Sequence, residues 1–400
     1  MIDIRKAGRA LRPAVLISLL LLLCTLCGCA TDLIGDPADL SKFEQPVGMA
    51  IHPNGRYAYV TGANFDLNYR ATDGGALYVV DLLTGSIVSA KRMGSFATNV
   101  VLSHDARRGY TVTRGDDALV WFSISENGSS IHCPEGDEES ESLLDCRVIL
   151  DNDPSGVSIT RSSRGTGSDA VEFDLLVVGQ LKEGRVSAIT ARDTEDGVAF
   201  SHQSAAMQFG ASDVIHLGGE RFAVTGRAAS NLIVVAPALD AKANVKGLYL
   251  RENVSVPNAS AYQGRGMALD PSGQSLFLVN QSPNSILRFE LPGFGRDVIQ
   301  NTQTTLLPTA CARVIWVGDQ DSGVLYVTSV TEDTIYILDP VSLEIINTVK
   351  TGRGPYEMAI HGNTLYLLLF AAQAIVSYDV SDPIHPTVAK TIIGSAVEAQ

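Results

Sequence analysis

Residues 46–61 read Pro46-Val47-Gly48-Met49-Ala50-Ile51-His52-Pro53-Asn54-Gly55-Arg56-Tyr57-Ala58-Tyr59-Val60-Thr61, and Leu77-Tyr78-Val79-Val80-Asp81 follows. Apolar runs on both sides of Pro53-Asn54-Gly55 spell strand, tight turn, strand. A loop and a third strand complete the unit. Proline presets φ in such a turn, and glycine takes the position that side chains avoid. The first strand of this unit aligns with six others. Their opening residues are Ala97-Thr98-Asn99, Pro154-Ser155-Gly156, Ala211-Ser212-Asp213, Gly264-Arg265-Gly266, Cys311-Ala312-Arg313 and Pro355-Tyr356-Glu357. The spacing is about 50 residues, the period of a four-stranded propeller blade.

The later units follow the same grammar. In the fifth, Met267–Leu269, Leu276–Val279 and Ser285–Glu290 are expected strands around the turn Pro271-Ser272-Gly273. In the sixth, Val324–Thr328, Thr334–Leu338 and Ile345–Val349 are strands two to four. Continuously apolar runs such as Leu175-Leu176-Val177-Val178 suit central strands covered on both faces. A lone four-stranded sheet cannot hide two apolar faces, whereas a closed ring of sheets can. The sequence therefore predicts an all-β chain: a seven-bladed β-propeller of four-stranded antiparallel blades over residues 45–395. The seventh unit is complete in itself, with Thr387–Ile393 as its outer strand. Closure is thus expected to rest on packing between blades, helped by the segment near Phe43. Two long connections interrupt the period: the acidic loop between Cys133 and Cys146, and the Ser/Gly-rich stretch Arg161–Val171, read as a mobile loop.

These residues resemble the YVTN-repeat β-propeller family, whose motif runs Pro, Ala, Pro-Asp-Gly, Tyr-Val-Thr-Asn, then Val-Ile-Asp with Thr. Pro46, Ala50, Pro53-Asn54-Gly55, Tyr59-Val60-Thr61-Gly62, Asp81 and Thr84 match in the first unit. Tyr326-Val327-Thr328-Ser329 and Ile337-Leu338-Asp339 match in the sixth. Val380-Ser381-Asp382-Pro383 with Pro386 is similar to the related LVIVD-type bacterial repeat. The resemblance implies a WD40/YVTN-like disc over residues 46–393 and leaves the activity open, because propellers host many functions.

The N-terminus is a targeting segment. Arg5, Lys6, Arg9 and Arg12 precede an apolar run from Ala14 to Leu26, too short for a comfortable membrane span. Leu26-Cys27-Gly28-Cys29 resembles a bacterial lipobox, which implies a signal peptide over 1–28, lipidation of Cys29 and a tether over 29–44. Ala30 in place of Asp favours the outer over the inner membrane. The protein is therefore expected to be exported and lipid-anchored, in the periplasm or at the cell surface. Export implies an oxidising compartment. Of six cysteines, Cys133, Cys146 and Cys311 lie beyond the signal. Cys133 and Cys146 flank one loop and form the expected disulfide, adding roughly 3 kcal/mol in the chain-entropy model. Cys311 is read as a buried small hydrophobe, against a reactive thiol as the alternative.

The net charge of −14 argues against a nucleic-acid partner, which needs a basic face. No metal or cofactor is expected. His52 and His361 occupy equivalent repeat positions, which points to a structural role, and no His or Cys spacing fits a metal or haem motif. The acidic loop matches no calcium-binding pattern. No Gly-x-Ser-x-Gly nucleophile turn occurs. First strands line a propeller's axis, so the aligned register gathers Asn99, Asp213, Arg265, Arg313, Tyr356 and Glu357 at one mouth. Small residues fill most other places in that register. Convergent polar groups mark a binding site; mutual pairing with channel water is the competing account. As a site, Arg265 and Arg313 would recognise an anionic group, with Asp213 and Glu357 orienting them. The expected function is non-catalytic: binding an unidentified envelope protein, envelope component or small polar ligand. The alternative is a propeller enzyme, a lactonase-like hydrolase or cofactor-dependent oxidoreductase, with its site at the axial mouth.

Overall fold

In the computed structural model, the described residues are 38–63, 74–137, 139–167, 170–182, 184–207, 209–227, 231–255, 264–292 and 299–394. The signal peptide, Cys29 and the first part of the tether lie outside them. Seven antiparallel sheets follow one another along the chain. Six contain four strands in simple up-and-down order; blade 1, for example, is Pro46–Ile51, Tyr57–Gly62, Gly75–Asp81 and Ser86–Met93. Among the described residues no α-helix occurs. The seven-bladed propeller expected from the repeats is therefore present.

The turn that opens each unit works as its residues dictate. His52 N–H donates to Tyr57 O at 2.8 Å, Gly55 N–H returns to His52 O, and Gly55 sits at φ +71°. The aspartate that ends the third strand has a local task. Asp81 Oδ1 accepts from Leu83 N at 2.9 Å and Thr84 N at 3.3 Å. Asp339 does the same for Val341 N and Ser342 N in blade 6. A carboxylate that caps the following turn thus explains the Asp of the repeat.

The tyrosine of the repeat ties blades together. Tyr59 Oη donates to Gly128 O of blade 2 at 2.9 Å, Tyr110 Oη to Asp174 Oδ2 of blade 3 at 2.6 Å, and Tyr326 Oη to Pro383 O of blade 7 at 2.8 Å. All three are buried to 0% exposure, so the hydroxyl needs its partner. The second and third strands of the blades form the apolar core between neighbouring sheets, each buried side chain contributing about 1.5–3 kcal/mol.

Ring closure uses no shared strand. Blade 7 is Pro355–His361, Thr364–Leu369, Ala374–Asp379 and Thr387–Ile393, all contiguous. Its Leu368, Ile375 and Ile392 pack with Met49, Ala58 and Val60 of blade 1, and Phe43 joins this cluster. The Phe43 and Tyr78 rings lie 5.5 Å apart. Across the seam His361 Nε2 meets Pro53 O at 3.1 Å and Lys390 Nζ donates to Leu83 O at 3.1 Å.

Blade 2 departs from the pattern. Its third strand, Ala118–Ile124, pairs with two short outer pieces, Ile131–His132 and Arg147–Ile149. Cys133 and Cys146 are disulfide-bonded across the gap, Cα to Cα 5.6 Å. The loop they close folds back onto the outer strand of blade 1. Arg92 N–H donates to Glu141 O, Leu143 N–H to Arg92 O, and Arg92 Nη1 pairs with Glu141 at 2.6 Å. The acidic loop is thus a clasp between blades 1 and 2.

One expectation is corrected. Arg161–Arg164 is not a loop: it prolongs the first strand of blade 3, Pro154–Arg164, against Val171–Asp174. Ser and Gly content suggested a flexible link, but β pairing extends the hairpin, and the Arg164–Glu220 ion pair at 2.6 Å ties it to blade 4.

Candidate functional site

The axial mouth is built by a repeated irregularity. Near its start, the first strand carries one residue more than its partner in six of the seven blades. A bulge of this kind re-aims a side chain. The surplus falls at Val47, Thr98–Asn99, Ser155–Gly156, Ser212, Arg265 and Tyr356. Each position sends a residue into one axial cavity of about 360 Å³. Blade 6 adds Ala312 and Arg313, just before its first strand, Val314–Val317.

The residues next along the strands alternate between glycine and larger side chains around the axis. A Cβ on Gly48 would lie 2.7 Å from Asn99 Cα, on Gly156 2.6 Å from Asp213 Cα, and on Gly266 2.8 Å from Arg313 Cα. The glycines let the neighbouring blade's backbone come close enough to place Asn99, Asp213 and Arg313.

The cavity brings together Asp213, Arg265, Arg313 and Tyr356 from the predicted set. Asn99 and Glu357 do not line it. Asn99 Nδ2 donates to Val157 O at 3.0 Å and ties blade 2 to blade 3. Glu357 is buried behind Arg313 and accepts from its Nε at 2.8 Å. Arg313 Nη1 also donates to Arg265 O at 2.7 Å. Burial opposes the charge on Arg313, but Glu357 and Asp213 outweigh it and hold the guanidinium firmly protonated. Arg313 is therefore a structural cation.

Arg265 differs. Its Nε donates to Gln281 Oε1 at 3.0 Å, and it has no carboxylate partner among the described residues. Burial, then repulsion from Arg227, Arg313 and Arg114, weakens its hold on the proton. An arginine remains charged even so. Asp213 faces the same space. Burial first, and the Glu357 charge second, raise its carboxyl to about 6, against the pull of Arg313 and of the Val214 and Met267 amides.

Arg114, Arg227 and Gln281 also line the cavity and were not anticipated. Each sits at or just past the end of a second strand: Arg108–Thr113, Arg221–Arg227 and Ser275–Gln281. The ends of the second strands form a register of their own in the sequence, and that register carries all three. Arg114 is committed. Its guanidinium pairs with Asp153 and stacks 4.2 Å over the Phe96 ring. Arg227, like Arg265, has no acidic partner among the described residues. The mouth thus holds four guanidiniums against Asp153, Asp213 and Glu357, and an unbalanced positive charge lies on the Arg227–Arg265 side. Among the described residues no group of His, Cys, Asp and Glu is placed to hold a metal ion. Cys311 is fully buried, and burial pushes its thiol up to about 12.

No protein-family model matches the chain. No curated protein matches it either. Solved structures do. A putative 6-phosphogluconolactonase from Bacteroides uniformis aligns with TM-score 0.57 and 14% identity over 86% of this chain and 97% of its own. The periplasmic gluconolactonase of Pseudomonas aeruginosa gives 0.54 and 14% over 78% and 87%. Kuenenia stuttgartiensis hydrazine synthase gives 0.57 and 13% over 86% and 97%. Likeness at this identity establishes the propeller and carries no activity with it.

Proposed function

We propose that this protein is an exported, lipid-anchored propeller of the YVTN/LVIVD type that binds a small anionic ligand in its axial cup without transforming it. The observation that carries the reading is Arg265, half-buried in the cavity beside the solvent-exposed Arg227, with no carboxylate partner for either among the described residues. A buried charge left unpaired is costly unless a ligand supplies its counter-charge. Membrane attachment rests on the Leu26-Cys27-Gly28-Cys29 motif and the apolar run before it.

The test is a thermal-shift screen of small metabolite anions at low ionic strength. A ligand should raise the melting temperature of the wild type and leave Arg265→Ala unmoved. Equal shifts in both would remove the cup from consideration. Release of Cys29→Ala from the membrane fraction tests the anchor.

A second reading, lactone hydrolysis, draws support from Asp213. A cavity carboxyl raised to about 6 is suited to proton transfer near neutrality, and two of the similar folds bear lactonase names. Turnover of a lactone panel, lost in Asp213→Asn, would favour it over simple binding.

A further inference from the structure

We propose that the cup takes a compact dianion and that Asp213 picks up a proton as the dianion binds. This rests on the anion-binding reading above and adds the ligand's charge and its coupling to pH.

The charge inventory carries the argument. Arg114 is neutralised by Asp153 and Arg313 by Glu357. Among the described residues Arg265 and the solvent-exposed Arg227 remain without a carboxylate partner, and Arg227 is the foremost positive charge acting on Arg265. Among the described residues, the Arg265 guanidinium engages only through Nε, on Gln281. With Asp213 protonated, the four guanidiniums face only Asp153 and Glu357, and the two positive charges left over among the described residues match two negative charges on one ligand. The volume of about 360 Å³ limits the ligand to a small molecule.

Asp213 is the obstacle. It lines the same cavity, so its carboxylate repels an incoming anion. The groups facing it are few. On its own strand the Val214 amide donates at 2.9 Å. From blade 5 the Met267 amide donates, and from blades 6 and 7 come Arg313 and Glu357. Gly156 approaches from blade 3 with no charge, and Thr225 is its partner on the second strand. Arg313 is already held by Glu357, so it cannot turn wholly to Asp213. Burial and Glu357 already weaken the acidity of Asp213. A dianion adds negative charge of the same sign as Glu357 and drives protonation further. By linkage, a proton taken up on binding makes affinity rise as pH falls.

The probes are 1,2-ethanedisulfonate and methanesulfonate, whose charges do not change between about pH 5.5 and pH 8. Calorimetric titration of the full folded chain should show ethanedisulfonate binding at least about tenfold more tightly than methanesulfonate, and about tenfold more tightly at the lower pH than at the higher. Repeating the titration in buffers of different ionisation heat should reveal net proton uptake by the wild type. Asp213→Asn should bind ethanedisulfonate with one affinity across that range. Equal affinity for the two probes, or pH-independent binding without proton uptake, would overturn this proposal while leaving anion binding intact. No binding of either probe at either pH would overturn both. The buffer series needs only the wild type, so a poorly folding variant does not blunt the test.

Discussion

Arg313 of blade 6 reaches across the blade boundary and donates from Nε to Glu357 Oε2 of blade 7 at 2.8 Å, while its Nη1 holds Arg265 O of blade 5. One side chain thus clamps three blades at the axial mouth. The pair is largely shielded, with side-chain exposures of 20% and 12%. Breaking a buried pair is costly because the remaining charge stays in place.

Glu357→Gln should therefore lower stability by about 2–3 kcal/mol, below the full cost of a stranded charge because Asp213 still attracts Arg313. Urea unfolding at neutral pH measures it. A change near zero would mean that Arg313 does not depend on Glu357.

The interleaving of glycine with Asn99, Asp213 and Arg313 makes a steric prediction. A Cβ on Gly48 would come within 2.3 Å of Thr98 O, whereas one on Gly247 would meet nothing within 4 Å. Gly48→Ala should cost about 2 kcal/mol or more through forced separation of blades 1 and 2. Gly247→Ala should be neutral or slightly stabilising. Paired thermal melts of the two variants check this.

The clasp formed by Cys133 and Cys146 closes a loop that grips Arg92 of blade 1. Replacing both cysteines by serine should remove about 3 kcal/mol. Melting the wild type with and without reductant should reproduce that loss, and limited proteolysis of the variant should cut first between residues 134 and 145.

Asp213 should leave a mark on stability. Its folded carboxyl titrates near 6, above the ordinary 3.8, so the folded chain binds that proton more tightly than the unfolded chain. Its contribution to stability therefore rises as pH falls from about 7 to about 4, by at most about 3 kcal/mol. Asp213→Asn removes this dependence. The variant should gain on the wild type at pH 7 and lose that advantage near pH 4.5, read from urea midpoints at both.

Much of this fold was legible because its signals are local and repeated. Pro53-Asn54-Gly55 marks a turn by backbone chemistry, and Asp81 and Asp339 each cap the turn that follows their strand. Half of the site was legible for the same reason: the register of first strands placed Asp213, Arg265, Arg313 and Tyr356 together. What escaped depends on distance in sequence. Asn99 turned to the Val157 carbonyl and Glu357 to Arg313, and no local pattern states which polar neighbours will satisfy each other. Arg114 and Arg227 entered the cup from the ends of second strands, a position the motif marks but whose orientation follows from ring closure. Composition misled at Arg161–Arg164, where pairing with Val171–Asp174 overrides weak strand propensity.

The central claim is that unbalanced cations at Arg227 and Arg265 receive an anion on the propeller axis. Crystals soaked in tungstate, a small dianion with strong anomalous scattering, test it directly. The account predicts an anomalous peak in the axial cup between those two guanidiniums, absent in Arg265→Ala. Peaks confined to the outer rim, with none in the cup, would contradict it.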